Sequence, residues 1–482
     1  MHYVSPAPFT RREMLARAGY GIGMLALADL LRHDALHAAP GDAPTLRLRE
    51  GAKAKSVIFL FMGGGPSQVD TFDPKPLLDR LNGQNVPGSI AAGIPRIARA
   101  PLNNLFASPY RFARRGQSGI PVAEIFPHMG ACVDDLCILR SCRHDSPIHA
   151  PAEYIATTGT QVGDRPSLGA WVTYGLGSEN QNLPSFIVLK AGETGRAVAW
   201  SSGFLPARHQ AAVVEPTGIP NAALPAGTRA EDRRAQLDLI ESLNRNHLDR
   251  IASPRLAGGE ELGVRGLAAQ ELDARIQSYE LAFRMQAASP EAFDLARETQ
   301  ATKNLYGIGE TDTNEFGTMC LMARRFVERG VRFVQLRSGG WDAHGDLVAN
   351  HSPQARKTDR PIAALLIDLK RRGLLEQTLI IWGGEFGRTP AAENRTASPG
   401  RNHSPSGYSM WLAGGGVKGG IIIGATDPVG YAAVERPIHP NDLHATILYA
   451  LGIDQYRMYY RHHNRNEIAT VNGGEVVTEA FA

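Results

Sequence analysis

The sequence predicts an α/β fold built on a mostly parallel central sheet with helices on both faces, and three observations carry the prediction. First, apolar runs of strand length recur along the chain: SVIFLF from 56, DLCILRS at 135–141, SFIVLK at 185–190, VRFVQL at 331–336 and TLIIW at 378–382. Uninterrupted apolar runs mark strands covered on both faces, as parallel strands are. Second, helical stretches with apolar residues at three- and four-residue spacing lie between these runs, which argues for a doubly wound arrangement. Third, two of the runs break off at glycines, in VIFLFMGGGPSQVD and LIIWGGEFGRTP, and charged residues follow. Ligands of open α/β sheets bind outside the carboxyl ends of the strands, so charged groups just past a strand are site candidates.

Taken in order, the chain opens on FTRREMLARAGYGIGMLALADLL, where Arg11 and Arg12 precede a short apolar stretch, Ala18 to Leu31. That is the outline of a twin-arginine export signal. Thr10 and Leu15 fit the motif, Met14 and Ala16 depart from it, and an ordinary N-terminal helix is the bland alternative. Residues 1–39 are read as the signal region, with cleavage near Ala38 or Ala39, and residues 50–482 as one domain. The expected location is periplasmic or otherwise exported, with the twin-arginine machinery as a partner. That route moves folded proteins, which suits an enzyme loaded with metal beforehand. No apolar run of about 20 residues offers a transmembrane anchor in the mature chain. At 482 residues and a formal charge of +3, the chain lacks a basic nucleic-acid footprint.

A Gly- and Pro-rich region runs to about residue 121. Between about 228 and 330 the texture turns helical, in RAEDRRAQLDLIESLNRNHLDRI, ELDARIQSYELAFRMQ and TMCLMARRFVERG, and is read as a helical insertion packed on the main sheet. Cys132, Cys137 and Cys142 are too far apart for a zinc cluster and read as core residues.

The acidic and histidine residues gather after the strand candidates. Ser67, Asp70 and Asp73 follow the first; His144, Asp145 and His149 follow CILRS; Asp342 and His344 lie in SGGWDAHGD; Glu385 and Arg388 lie in GGEFGR; His403 follows in GRNHSPSG. In a parallel sheet these loops emerge at one edge and converge. Singly, each has a bland reading: Glu385 and Arg388 as solvated loop residues, a lone histidine as a structural group. Together, carboxylates mixed with imidazoles suit a divalent metal of the zinc, manganese or iron kind. Of the later histidines, His444 reads as packing and His439 stays open.

The blocks FLFMGGGPSQVDTFDPKP, DSPIHAPAEYIATTG, GGWDAHGD, GGEFGRTP, GRNHSPSG, LAGGGVKGGIIIGATD and DLHATILYALGI resemble the DUF1501 family, exported sulfatase-like proteins of the alkaline phosphatase-like superfamily. The resemblance implies an alkaline phosphatase-like fold. It sets Glu385 where those enzymes carry a ligand Asp, with Phe386 replacing the following His. It likens His403 to their downstream metal-binding His, Asp342 and His344 to an Asp and a His that sit further apart there, and Asp70 to the first-strand Asp. HAPAEYIATTG resembles a segment in which a nucleophilic Thr opens a helix, and His149 stands in that place. No Cys-x-Pro-x-Arg sulfatase motif is present.

The expected site is therefore one or two divalent ions (zinc, manganese or similar) on Asp70, Asp342, His344, Glu385 and His403. His149 is expected as acid, base or transient nucleophile, Arg388 as the anion receiver and Ser67 as an oxyanion contact. The expected activity is an exported metal-dependent hydrolase of sulfate or phosphate esters, acting on a small molecule or polysaccharide. The rival is a sulfatase-like binding or scaffold protein that lacks the usual nucleophile.

Overall fold

The run Ser56–Met62 forms strand β1, and all seven of its residues are buried, because it lies inside an eight-stranded sheet. The structure, a computed structural model, describes residues 46–94, 103–190, 197–215, 229–252, 291–394, 396–471 and 473–481. The twin-arginine stretch and the segment ELDARIQSYELAFRMQ lie outside the described residues. From Leu46 to Ala482 the chain forms one compact unit.

After β1 come a hairpin of β2 (Phe112–Arg115) and β3 (Ile120–Ala123), then β4 (Leu136–Cys142), β5 (Phe186–Lys190) and β6 (Ala212–Val214). These are followed by β7 (Phe333–Ser338), β8 (Thr378–Gly383), a hairpin of β9 (Gly387–Ala392) and β10 (Arg401–Ser404), then β11 (Tyr408–Ala413) and β12 (Ile421–Ile423). The main sheet has the order β12-β4-β11-β8-β1-β7-β5-β6. Strand β1 pairs in parallel with β7, Ile58 opposite Val334, and with β8, Ile58 opposite Ile380. Among the described strands, β11 alone is antiparallel, running against both β4 and β8. The mostly parallel sheet expected from the sequence is present.

Side chains alternate across a strand, so β1 feeds two cores. Ile58, Leu60 and Met62 enter one, and Val57, Phe59 and Phe61 enter the other. Among the described residues the longer helices are α1 (His149–Thr158), α2 (Leu168–Leu176), α3 (Ala230–Ala252), α4 (Asn314–Glu328), α5 (Leu347–Arg371) and α6 (Pro440–Ala450). Apolar residues of α4 and α5, among them Phe316, Met319, Ile362 and Leu366, fill the first core. Trp171 of α2 and Leu443, Ile447 and Leu448 of α6 fill the second. Helices thus cover both faces, as the continuous apolar strands require. Within the helix-rich stretch, α4 lies against β7, the strand it precedes.

Cys132, Cys137, Cys142 and Cys320 are free and buried in these cores. His444 is buried and bonds Ala156 O through Nε2 at 2.9 Å. His439 caps α6, its side chain accepting from Asn441 N–H within a capping box completed by Asp442.

Candidate metal centre

Strands β1, β4, β7 and β8 run parallel, so their carboxyl ends share one edge of the sheet. From β4 the chain passes into α1, which opens on His149. From β7 it enters the loop with Asp342 and His344, and from β8 it passes Glu385 into the β9–β10 hairpin, where His403 lies opposite Arg388. Four side chains meet there. His149, Asp342, His344 and His403 each offer one ligand atom, all within 4.8 Å of one another.

Asp342 is the hub. Its Oδ1 lies 3.0 Å from His344 Nε2 and 3.2 Å from His403 Nε2. Its Oδ2 lies 3.1 Å from His149 Nε2. The outer nitrogens are tied down: His149 Nδ1 is 2.7 Å from Glu385 Oε1, His344 Nδ1 is 2.5 Å from Glu393 Oε2, and His403 Nδ1 donates to Pro147 O at 2.7 Å. Imidazoles that ligate metals are held in this way, one nitrogen bonded outward so that the other presents its lone pair inward.

The donor set fits a divalent ion. His344 Nε2 and His403 Nε2 stand 3.0 Å apart, a contact that two lone pairs tolerate only with a proton or a cation between them. His149 Nε2 is buried and faces Asp342 without an aligned hydrogen bond. Ligands about 2.0–2.2 Å from a tetrahedral ion lie about 3.3–3.6 Å from one another, close to these separations. Three imidazoles and one carboxylate favour a zinc-like ion over magnesium or calcium. The cluster is open to solvent, since the side chains of His149, Asp342 and His344 are 38%, 41% and 42% exposed.

Charge organises the cluster further. Burial pulls the His149 imidazole down, but the Asp342 and Glu385 carboxylates outweigh it and raise its pKa to about 9. Burial works to raise Asp342, yet contacts with His149, His403 and Arg388 hold it well below the usual carboxylate range. Glu385 is buried and accepts the Gly64 N–H at 2.9 Å. Gly64 has φ +106°, and a Cβ there would come within 2.5 Å of Asp342 N, so only glycine lets the β1 and β7 exit loops meet. Phe386 stacks on His403 with centroids 4.4 Å apart and sits 5.0 Å from His149.

The remaining expected residues lie elsewhere or are already engaged. Asp70 is fully buried, holds Arg401 through bonds of 2.7 and 3.1 Å, and accepts the Ser67 hydroxyl. Ser67 is equally buried. Arg388 is buried and donates to Gly65 O, Arg401 O, Gly64 O and, at 2.6 Å, Asp342 Oδ1. Its guanidinium is spent on the protein. Glu385 meets His149 instead of joining the four inward groups. Two supporting groups went unforeseen, Glu393 and the Pro147 carbonyl. Neither carries a local signal, since a strand pairing and a loop path bring them to their histidines.

Fold and site together define an α/β protein with a histidine-rich cluster of metal-ligand geometry at the carboxyl edge of its sheet. The chain belongs to the family described as "Protein of unknown function (DUF1501)", whose family model matches residues 54–481. No curated protein matches it. Among solved structures, it is similar to the lipoteichoic acid synthase LtaP from Listeria monocytogenes, with 8% identity over 87% of this chain and 79% of that one and a TM-score of 0.35. It is also similar to the alkaline phosphatase from the Antarctic bacterium TAB5, with 12% identity over 84% of this chain and 100% of that one and a TM-score of 0.34. The PsFucS1 sulfatase from Pseudoalteromonas sp. matches at 11% identity over 83% and 68%, with a TM-score of 0.30. At such values no residue role transfers from those proteins to this chain.

Proposed function

We propose that this chain is an exported metal-dependent hydrolase of sulfate or phosphate esters, in which His149, Asp342, His344 and His403 hold one divalent ion. The observation that carries the reading is the set of four inward ligand atoms within 4.8 Å, with every imidazole's outer nitrogen tied down. An ion held by these four residues would supply Lewis acidity, to polarise an ester oxygen and lower the pKa of water.

The chain's own residues do the rest. Glu385 and Glu393 orient His149 and His344, the Pro147 carbonyl orients His403, and Arg388 pins Asp342 from the buried side. In this reading His149 is a ligand, Glu385 supports it, and Asp70 and Ser67 serve the interior. Water is the nucleophile, because Ser67 is buried and burial pushes the thiols up, Cys132 to about 11 and Cys137 to about 12. The substrate is a sulfated or phosphorylated small molecule or polysaccharide, and the Arg11–Arg12 pair supports twin-arginine export.

The test is metal content and turnover of the full chain on aryl sulfates, phosphate monoesters and phosphate diesters. One divalent ion per chain, with turnover abolished by chelation and by His403→Ala, is expected. Turnover that survives chelation, or a protein without metal, overturns the reading. The second reading, a binding protein that keeps the metal, is favoured by the engagement of Arg388 and the burial of Ser67 and the thiols. Retained metal with no turnover across the panel selects it.

A further inference from the structure

Of the four inward groups, His149 alone is presented by a helix, so its placement depends on how that helix is held. The N-cap of α1, Ile148, makes no side-chain capping bond. Glu153 lies one turn along, on the same face as His149, since positions i and i+4 stack along a helix. Glu153 is 7% exposed and ion-paired with Arg337 Nη2. Arg337 is the fifth residue of β7, the strand whose exit loop delivers Asp342 and His344.

The arginine is itself held. It is 2% exposed, with its guanidinium 4.5 Å from the Phe61 ring centroid and 5.1 Å from that of Trp200. Phe61 belongs to β1, whose exit loop supplies the Gly64 N–H to Glu385, and Glu385 in turn holds His149. One buried guanidinium therefore links α1, β7 and β1, the three elements that set His149 against Asp342.

We propose that the Arg337–Glu153 pair is a positioning element of the metal centre, fixing the placement of α1 so that His149 Nε2 meets the other three ligands. The proposal rests on the metal-centre reading above. A purely structural role is the competing account, and the two separate in a double variant. Removing one partner takes away half of a buried ion pair, whereas replacing both by apolar residues commonly restores stability. A positioning role is not restored in that way, because a methionine pair supplies packing without a directional bond.

The experiment loads the full chain, as wild type, Glu153→Met, Arg337→Met and the double variant, with Co(II), and measures melting, Co(II) affinity and the visible absorption of the bound ion. The expected result is a double variant that melts near wild type yet binds Co(II) about 10-fold or more weakly, the range seen on loss of groups that orient ligands. Its spectrum should match that of His149→Ala, and adding His149→Ala to it should change little further. Wild-type affinity and spectrum in the double variant overturn the proposal while leaving the metal centre intact. A wild-type protein that takes up no Co(II) overturns both. Glu153→Gln reports independently of how the double variant folds. It has the same length, still accepts from Arg337 and should keep the wild-type spectrum; a spectrum as altered as that of His149→Ala overturns the proposal.

Discussion

Asp342 and Asp70 each follow a parallel strand at the same sheet edge, and each pairs with an arginine from the β9–β10 hairpin. The Asp342 side chain is 41% exposed, ringed by three imidazoles, with Arg388 behind it. The Asp70 and Arg401 side chains are both 0% exposed, and the Ser67 hydroxyl closes the pair. The contrast teaches that a carboxylate at a strand end becomes a candidate ligand only if its neighbours leave an oxygen facing solvent and other donors. A carboxylate saturated inside the protein is part of the scaffold, whatever its sequence neighbourhood suggests.

The sharpest way to break that comparison is to remove each aspartate in turn. Asp342→Ala is expected to abolish stoichiometric metal, read by elemental analysis of the purified protein, since the hub of the donor set is gone. Asp70→Ala is expected to leave metal stoichiometry unchanged in the protein that folds. It should lower stability by about 3–5 kcal/mol in denaturant unfolding, because Arg401 is left charged and buried. Metal lost in Asp70→Ala with stability intact would reverse the two assignments.

A smaller effect tests the supports. Glu393→Gln removes the charge that holds His344 Nδ1 and is expected to weaken metal binding about 10- to 100-fold in a chelator competition. Unchanged affinity would mean that His344 holds its orientation without Glu393.

The buried side of the comparison also has a pH signature. His351 is buried and accepts the Ser67 N–H through Nε2, and burial lowers its pKa from 6.5 to about 3. The unfolded chain therefore takes up this proton first. The stabilising term is complete above pH 6.5 and is lost as pH falls toward 3, at up to about 1.4 kcal/mol per pH unit for this one group. Denaturant unfolding at pH 7 and pH 5 should show a steeper loss for wild type than for His351→Gln. Equal slopes would show that His351 does not carry the term. The smallest effect belongs to Phe386→Leu, which removes the ring stacked on His403 and is expected to cost about 1 kcal/mol or less of stability, with metal stoichiometry kept.

Much of this arrangement was legible in the sequence. The runs at 56–62, 136–142, 333–338 and 378–383 are strands because continuous apolar residues need cover on both faces. Their parallel direction brings His149, Asp342 and His344, each placed after a strand candidate in the sequence, to one edge, whereas His403, in the downstream piece GRNHSPSG, arrives there on the β9–β10 hairpin. The antiparallel β11 was not legible. YSMWLA is as apolar as its neighbours, and direction in a sheet is set by how the chain returns to it.

Sequence by itself determined which groups follow the parallel strands out to the carboxyl edge, because strand periodicity and glycine breaks are local properties. Tertiary structure alone decided what those groups do there. The β9–β10 hairpin inserts Arg401 against Asp70 and Arg388 against Asp342, and it brings Glu393 to His344. Whether a carboxylate ends as ligand, support or buried ion pair depends on which residues, distant in sequence, take up its lone pairs, and no local pattern encodes that.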